Sequence, residues 1–392
     1  MQPDEDIRKY LEQMAQLDVP PAWELPLDVV RSNIRAMHMP HAANPRPVGK
    51  VENRVLPGPG GDLPVRVYWP EGAGADLPLV VWYHGGGFVF GDLDTMDSAS
   101  RRLCAQGDVI VMSVDYRLAP EHVFPAAAED AIFAAAWALE KAGTLGASVS
   151  HVFVGGDSAG GNLAAVAANA LRDASPALAG QILIYPVTDF RNIEYESRVT
   201  RASGYGLTQE GMDWFRSLYC SSEADWEDPR VSVLVEDDLS GGAPAFVMTA
   251  GFDPLCSEGE LYAQRLNEAG NDVEHLHLEG ANHGVLNAVP GYRATEQVWD
   301  GMLGWRTAKC DIHTAYQAEV AVRALVDMND TQIEALDALA KQMGRSRAAL
   351  IRAAIDDYLD RHHREQVEDG FGLWGERKVD GLAYQEKLRR EW

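Results

Sequence analysis

The sequence predicts an α/β fold built on a parallel sheet covered by helices, and three observations predict it. Short apolar runs alternate with helical patterns from Leu79 to Trp305, the signature of strand–helix–strand units with right-handed crossovers. Leu79 to Tyr83, Val109 to Val114 and His151 to Val154 are apolar without alternation, as expected of strands buried on both faces. The last of these runs leads into Gly156-Asp157-Ser158-Ala159-Gly160 and then an alanine-rich helix from Asn162 to Leu171. A serine at the apex of a tight strand-to-helix turn needs small neighbours, because strand and helix must approach closely there.

Taken in order, residues 4 to 18 and 26 to 38 read as two amphipathic helices separated by Val19-Pro20-Pro21. They either cap the site or pack on the main domain. Val51 to Leu56 and Val65 to Trp69 alternate like a hairpin around a proline- and glycine-rich turn. Helices are expected at Ser98 to Gln106, Ala126 to Ala142, Glu258 to Ala269 and Tyr292 to Trp305. Further strands are expected at Gln181 to Tyr185, Ala245 to Thr249 and Val273 to Leu278. Residues from about 190 to 240 interrupt the alternation with an aromatic-rich helix near Met212 to Tyr219. An insertion between two core strands is a natural place for a substrate-covering cap. The resulting division is N-terminal cap helices at 1–50, a catalytic domain at 51–308 and a junction at 309–318. A small separate module occupies 319–392.

The chain has 392 residues, enough for one large domain plus an appendage. A hydrophobic content of 46% with 24% charged residues is in the globular range. The net charge of −25 argues against a general nucleic-acid or anionic-membrane surface. Cys104, Cys220, Cys256 and Cys310 are widely spaced, with no C-x-x-C pair and no metal-type cluster. They fit a reduced cytoplasmic setting, two buried disulfides being the alternative. The first ten residues carry neither a basic segment nor an apolar one, and no apolar run approaches 18 residues. The expectation is therefore no signal peptide and no membrane span.

Chemistry concentrates at four strand ends. His84-Gly85-Gly86-Gly87-Phe88 follows the first core strand. Consecutive glycines expose backbone N–H groups, so Gly86 and Gly87, with Ala159 after the serine, are candidate oxyanion donors. Ser158 needs a base and an orienting acid. His283, in the loop Gly280-Ala281-Asn282-His283-Gly284, suits the base. His275 and His277 lie inside a strand pattern and read as exposed or structural. Asp253, just past the Ala245–Thr249 strand, suits the acid. Glu258 and Glu260 read instead as helix-start acids favoured by the dipole. The expected chemistry is attack of Ser158 on an ester carbonyl with His283 as base and Asp253 fixing its tautomer. It calls for no metal or organic cofactor. Phe88, Tyr205, Trp214 and Phe215 are candidates for the substrate pocket.

Six motifs stand in order: His84-Gly-Gly-Gly-Phe88, Asp115-Tyr-Arg-Leu-Ala-Pro-Glu121, Phe124-Pro-Ala-Ala127, Gly156-Asp-Ser-Ala-Gly160, Asp253-Pro-Leu255 and His283-Gly284. Together they resemble the hormone-sensitive-lipase family of esterases (bacterial family IV), in its Gly-Asp-Ser-Ala-Gly branch. The resemblance spans residues 1 to 308. It implies an α/β-hydrolase fold with a helical cap and hydrolysis of short- to medium-chain esters. It also implies a triad of Ser158, Asp253 and His283, with Asp115-Tyr116-Arg117 bracing the oxyanion loop. Cys256-Ser257-Glu258 departs from the family, which commonly has an acid before the glutamate.

The last segment is similar to a ribbon-helix-helix antitoxin: a strand Val322–Met328, two helices around Gly344-Arg-Ser-Arg347, and a tail with Trp374, Tyr384 and Trp392. That resemblance implies dimerisation through paired strands and either DNA or a toxin as partner. Residues 311–392 hold 12 basic and 16 acidic side chains, net −4. Phosphate contacts dominate DNA affinity, so DNA binding would depend on local charge such as Arg345 and Arg347. A homodimer or higher oligomer without DNA is the equal alternative.

Overall fold

The structure is a computed structural model that describes residues 2–16, 19–42, 45–287 and 292–317. The chain divides after Glu319 into two compact units, and every described residue lies in the first. The expected strand and helices of 319–392 therefore lie outside the described residues.

The elements run α1 (Glu5–Ala15), α2 (Leu27–Ala42), β1 (Lys50–Gly58), β2 (Gly61–Trp69), β3 (Leu77–Tyr83), α3 (Asp97–Gly107) and β4 (Ile110–Val114). There follow α4 (Ala126–Lys141), β5 (Ala147–Asp157), α5 (Ala159–Ala170), β6 (Gly180–Ile184), α6 (Glu196–Thr200) and α7 (Gln209–Tyr219). The described chain closes with β7 (Ala245–Phe252), α8 (Cys256–Glu268), β8 (Val273–Asn282) and α9 (Arg293–Gln317). α9 thus runs on through the stretch expected to be a polar junction.

One eight-stranded sheet has the order β1-β2-β4-β3-β5-β6-β7-β8. From β4 to β8 all pairings are parallel. β1 and β2 pair antiparallel with each other, and β2 with β4. The sheet is therefore mixed rather than parallel throughout. The physical reason is local: the chain turns back directly between Gly58 and Gly61, and a two-residue connection can join only antiparallel strands.

The unbroken apolar runs are explained by burial on two sides. Along β3, Leu79, Val81 and Tyr83 enter one core, while Val80 and Trp82 enter the other. The first core is closed by α4, α5 and α8. Small residues such as Ala131, Ala135, Ala164 and Ala168 let α4 and α5 sit close to the sheet and to each other. The second core is closed by α3 and α9 through Leu103, Trp299, Met302 and Trp305, with Ile7 of α1 fully buried against it. At about 25 cal/mol per Å² of apolar surface removed from water, these two layers dominate the stability of the fold.

This topology gathers the loops after β3, β5, β7 and β8 along the C-terminal edge of the parallel strands. In open α/β sheets that edge is where ligands bind. The insertion between β6 and β7 carries α6 and α7 over the same edge. Thr208 caps α7, its Oγ1 accepting from the Gly211 amide at 3.0 Å.

Candidate active site

The serine turn has the geometry its composition calls for. Ser158 takes φ 56° and ψ −119°, an arrangement costly for a non-glycine residue and typical of functional turns. Its amide donates to the Ile184 carbonyl at 2.9 Å. A methyl group on Gly160 would collide with the Tyr83 carbonyl, and one on Gly156 with the Gly160 carbonyl. Only hydrogen fits at either position if β5 and α5 are to meet.

The elements then converge on Ser158 Oγ. His283 follows β8, and its Nε2 lies 2.9 Å from that oxygen. His283 Nδ1 lies 2.7 Å from Asp253 Oδ2. The other oxygen, Oδ1, accepts from the Leu255 amide at 2.9 Å. Asp253 is fully buried, so this carboxylate is held from two sides and screened from water. The Tyr185 ring, 4.7 Å from the imidazole, packs on it from a third direction. Such a chain can carry a proton from Oγ to Nε2 while the carboxylate stabilises the imidazolium that results.

Facing the serine is the glycine loop. Gly86 and Gly87 have φ of 119° and 59°, a backbone conformation that favours glycine. Among the described residues neither amide has a protein acceptor. Ala159 is the first residue of α5, where helical N–H groups are unpaired by construction of the helix. Among the described residues the amides of Gly86, Gly87 and Ala159 thus have no hydrogen-bond acceptor, and all three residues line the same cavity as Ser158.

The loop is held by residues around it. Tyr116 donates its hydroxyl to the His84 carbonyl at 2.7 Å and stacks on the His84 ring at 4.3 Å. Burial keeps His84 neutral, its pKa lowered to about 4. Arg117 turns away from the loop and pairs with the buried Asp130. Asp157, the acid beside the serine, accepts from the Gly85 amide at 3.1 Å. The sequence carries no separate signal for that role of Asp157, although the residue lies within the serine motif.

Glu258 also differs from its sequence reading. It is not a solvated helix-start acid but is fully buried. It accepts from the Thr188 and Asp189 amides at 2.8 and 3.2 Å and pairs with Arg198 of α6. Desolvation raises its pKa to about 7, the Arg198 guanidinium opposing that rise. This network ties the start of the cap to the start of α8.

Ser158 and His283 open on a cavity of about 710 Å³ with a mainly apolar lining. Phe88, Trp214 and Phe215 line it. Phe88 is 1% exposed and stacked on Tyr219 at 4.0 Å. Phe215 lies against Gly87 and leaves no room there for a side chain. Tyr205, expected in the same wall, does not line the cavity. Its ring packs on Phe252 at 4.9 Å, with the Arg201 guanidinium over both rings. The N-terminal segment does contribute, through Tyr10 of α1, Ile34 and Met37 of α2, and Trp23 in the turn between them. Trp23 and Met37 are 39% and 49% exposed. Apolar residues left uncovered on amphipathic helices are the signal for this wall in the sequence.

Comparison with known proteins agrees with this fold. A family model described as the alpha/beta hydrolase fold matches residues 80–287. A second, for ribbon-helix-helix proteins of the copG family, matches residues 326–362. The carboxylic ester hydrolase LipN of Mycobacterium tuberculosis is 48% identical over 239 residues, 59% of this chain and 63% of that relative. The chain therefore spans less than two thirds of that relative's length. The carboxylesterase NlhH of the same organism is 39% identical over 267 residues, 67% of this chain and 82% of its own. A solved esterase of the archaeon Pyrobaculum calidifontis superposes with a TM-score of 0.73 at 38% identity, covering 80% of this chain and 99% of that one. No helix among the described residues is long and apolar enough to cross a membrane.

Proposed function

The chain belongs to the α/β-hydrolase family, in its hormone-sensitive-lipase-like group, and from that premise we propose that it is a serine carboxylesterase for short- to medium-chain carboxylic esters. The observation that carries this reading is the continuous chain from Ser158 Oγ through His283 to the buried Asp253 at the floor of an apolar cavity.

In this mechanism an ester carbonyl lies over Ser158 with its oxygen toward the amides of Gly86, Gly87 and Ala159. Ser158 attacks as His283 Nε2 takes its proton, and the three amides carry the oxyanion charge. His283 then protonates the leaving alcohol. Water attacks the acyl-enzyme with His283 again as base. The apolar cavity receives the acyl chain and alcohol and keeps bulk water from the charged intermediate.

Two experiments test this. Incubation with an alkyl phosphonate ester that mimics the tetrahedral intermediate is expected to label one serine, and peptide mass mapping should place it at Ser158. Labelling elsewhere, or none alongside intact p-nitrophenyl butyrate cleavage, would overturn the assignment. Gly86→Ala is expected to lower kcat by about 10²–10³-fold. A side chain there meets the Phe90 carbonyl, and φ of 119° disfavours alanine. The loop must therefore shift and its amides leave the oxyanion position. KM should move much less, since the apolar walls remain.

A second function is supported by the family match over residues 326–362. These residues would make the chain a homodimer or higher oligomer through paired strands, and they could bind operator DNA or a toxin. A chain ending at residue 319 should keep ester hydrolysis at the level of the full chain and lose mass in sedimentation to that of a monomer. An unchanged oligomeric state would remove this role. Gel mobility shift with the full chain then separates DNA binding from dimerisation alone. Free cysteines at all four positions, three of them buried, support a reducing cytoplasmic location.

A further inference from the structure

On the side of the sheet covered by α8, three side chains with metal-binding atoms converge, with His275 beside them. Cys256 and Glu260 lie one turn apart on α8, so they share a face of that helix. His275 and His277 lie two residues apart on the edge strand β8, so they share a face of the sheet. Cys256 Sγ, a Glu260 carboxylate oxygen and a His277 ring nitrogen all lie within 4.8 Å of one another. His277 Nδ1 is 3.4 Å from Glu260 Oε1. The Thr249 hydroxyl stands between the two imidazoles, 2.9 Å from His277 Nδ1 and 2.8 Å from His275 Nε2. The Arg201 guanidinium is directed onto the Phe252 ring and the Gly251 carbonyl.

The geometry points to a binding site for a thiophilic divalent cation of the Zn²⁺ type, held by Cys256, Glu260 and His277 with an open fourth position. The donor set decides the class. A thiolate with an imidazole selects zinc-like ions, whereas magnesium and calcium prefer oxygen ligands throughout. One thiolate and one carboxylate neutralise a dication, so a half-buried site gains no net charge. Bonds of about 2.0–2.3 Å place tetrahedral donors about 3.4–3.8 Å apart. The Glu260–His277 pair, at 3.4 Å, already has that spacing, and side-chain rotation brings in the Cys256 sulfur from within 4.8 Å. Glu260 and His277 have side chains 46% and 32% exposed. Coordination through His277 Nδ1 replaces its contact with the Thr249 hydroxyl, which keeps its bond to His275 Nε2.

The position of the site gives it a consequence. α8 begins three residues after Asp253, and the Cys256 amide donates to the Asp253 carbonyl at 3.1 Å. β8 ends one residue before His283. An ion between Cys256 and His277 cross-links the two elements that carry the acid and the base, without touching either.

The experiment is titration of the reduced full chain with Co²⁺. One ion per chain is expected, with a thiolate-to-cobalt charge-transfer band and the strong visible bands of tetrahedral cobalt, both abolished by Zn²⁺. Cys256→Ser should remove the charge-transfer band. His277→Ala and Glu260→Gln, both at exposed positions that tolerate change, should each weaken Zn²⁺ affinity by more than about tenfold. Absence of the band in the wild-type chain would overturn the proposal. So would a band of full intensity in Cys256→Ser, or unchanged affinity in both exposed variants.

Discussion

Ser158→Ala is expected to lower kcat for p-nitrophenyl butyrate by about 10⁵–10⁶-fold. The substitution removes one oxygen and leaves the turn intact. Its strained backbone is set by the Ile184 carbonyl and by the close fit of Gly156 and Gly160, none of which involves Oγ. The variant should unfold at the wild-type denaturant midpoint or slightly above it, since alanine removes a polar group from a partly buried turn. Substrate should still bind, because the cavity walls and the three proposed oxyanion amides are unchanged. The test is therefore a loss in kcat with little change in binding of an unreactive ester analogue. A variant with normal folding and turnover within tenfold of the wild type would remove Ser158 as nucleophile. The residual rate is informative as well. What remains above the rate in buffer measures the contribution of the oxyanion donors and of substrate positioning alone.

Much of the fold is legible in the sequence because its signals are local. The strands of the central sheet are buried on both faces, so their apolar runs carry no competing polar residues, as at Leu79–Tyr83. The serine turn, the glycine loop and the Asp253 loop each sit directly after such a run, and the His283 loop follows β8, an edge strand whose Glu274, His275 and His277 are exposed. Their order in the sequence is enough to bring them to one edge of the sheet. Features set by distant contacts are not legible. α6 has only five residues and no amphipathic period of its own. It is held by Arg198 reaching the buried Glu258, a partner 60 positions away. Glu258 itself escapes the sequence for the same reason, since nothing in Cys256-Ser257-Glu258-Gly259 tells a dipole-favoured acid from one that holds the Thr188 and Asp189 amides. Tyr205 has a ring suited to a pocket wall, yet Arg201 and Phe252 draw it aside. The Cys256–Glu260 and His275–His277 pairs are visible only as helix and strand spacings. Their convergence depends on α8 crossing β8, which no local pattern encodes.

Asp253→Asn is expected to lower kcat by about 10⁴-fold while leaving KM nearly unchanged. The two oxygens of Asp253 have different partners, and that asymmetry fixes the outcome. Oδ1 accepts from the Leu255 amide at 2.9 Å, a backbone donor that cannot become an acceptor. The asparagine must therefore keep its carbonyl oxygen there and turn its NH₂ toward His283 Nδ1. An NH₂ group can only donate, so Nδ1 has to accept and the ring proton moves to Nε2. Nε2 then faces Ser158 Oγ, 2.9 Å away, carrying a hydrogen where the mechanism needs a lone pair. The base is present, correctly placed, and in the wrong tautomer. The neutral amide also withdraws the negative charge that stabilises the imidazolium as the oxyanion forms. Because Asp253 is fully buried, bulk water cannot replace that charge. Asp253→Glu makes the contrasting control. It keeps the charge, and the longer side chain must displace the Leu255 amide or the imidazole, so it should lose activity through position instead of tautomer. If the Asp253→Asn variant retained turnover within tenfold of the wild type, the orienting acid would have to lie elsewhere. Glu258 could not supply it, since its oxygens are committed to Thr188, Asp189 and Arg198.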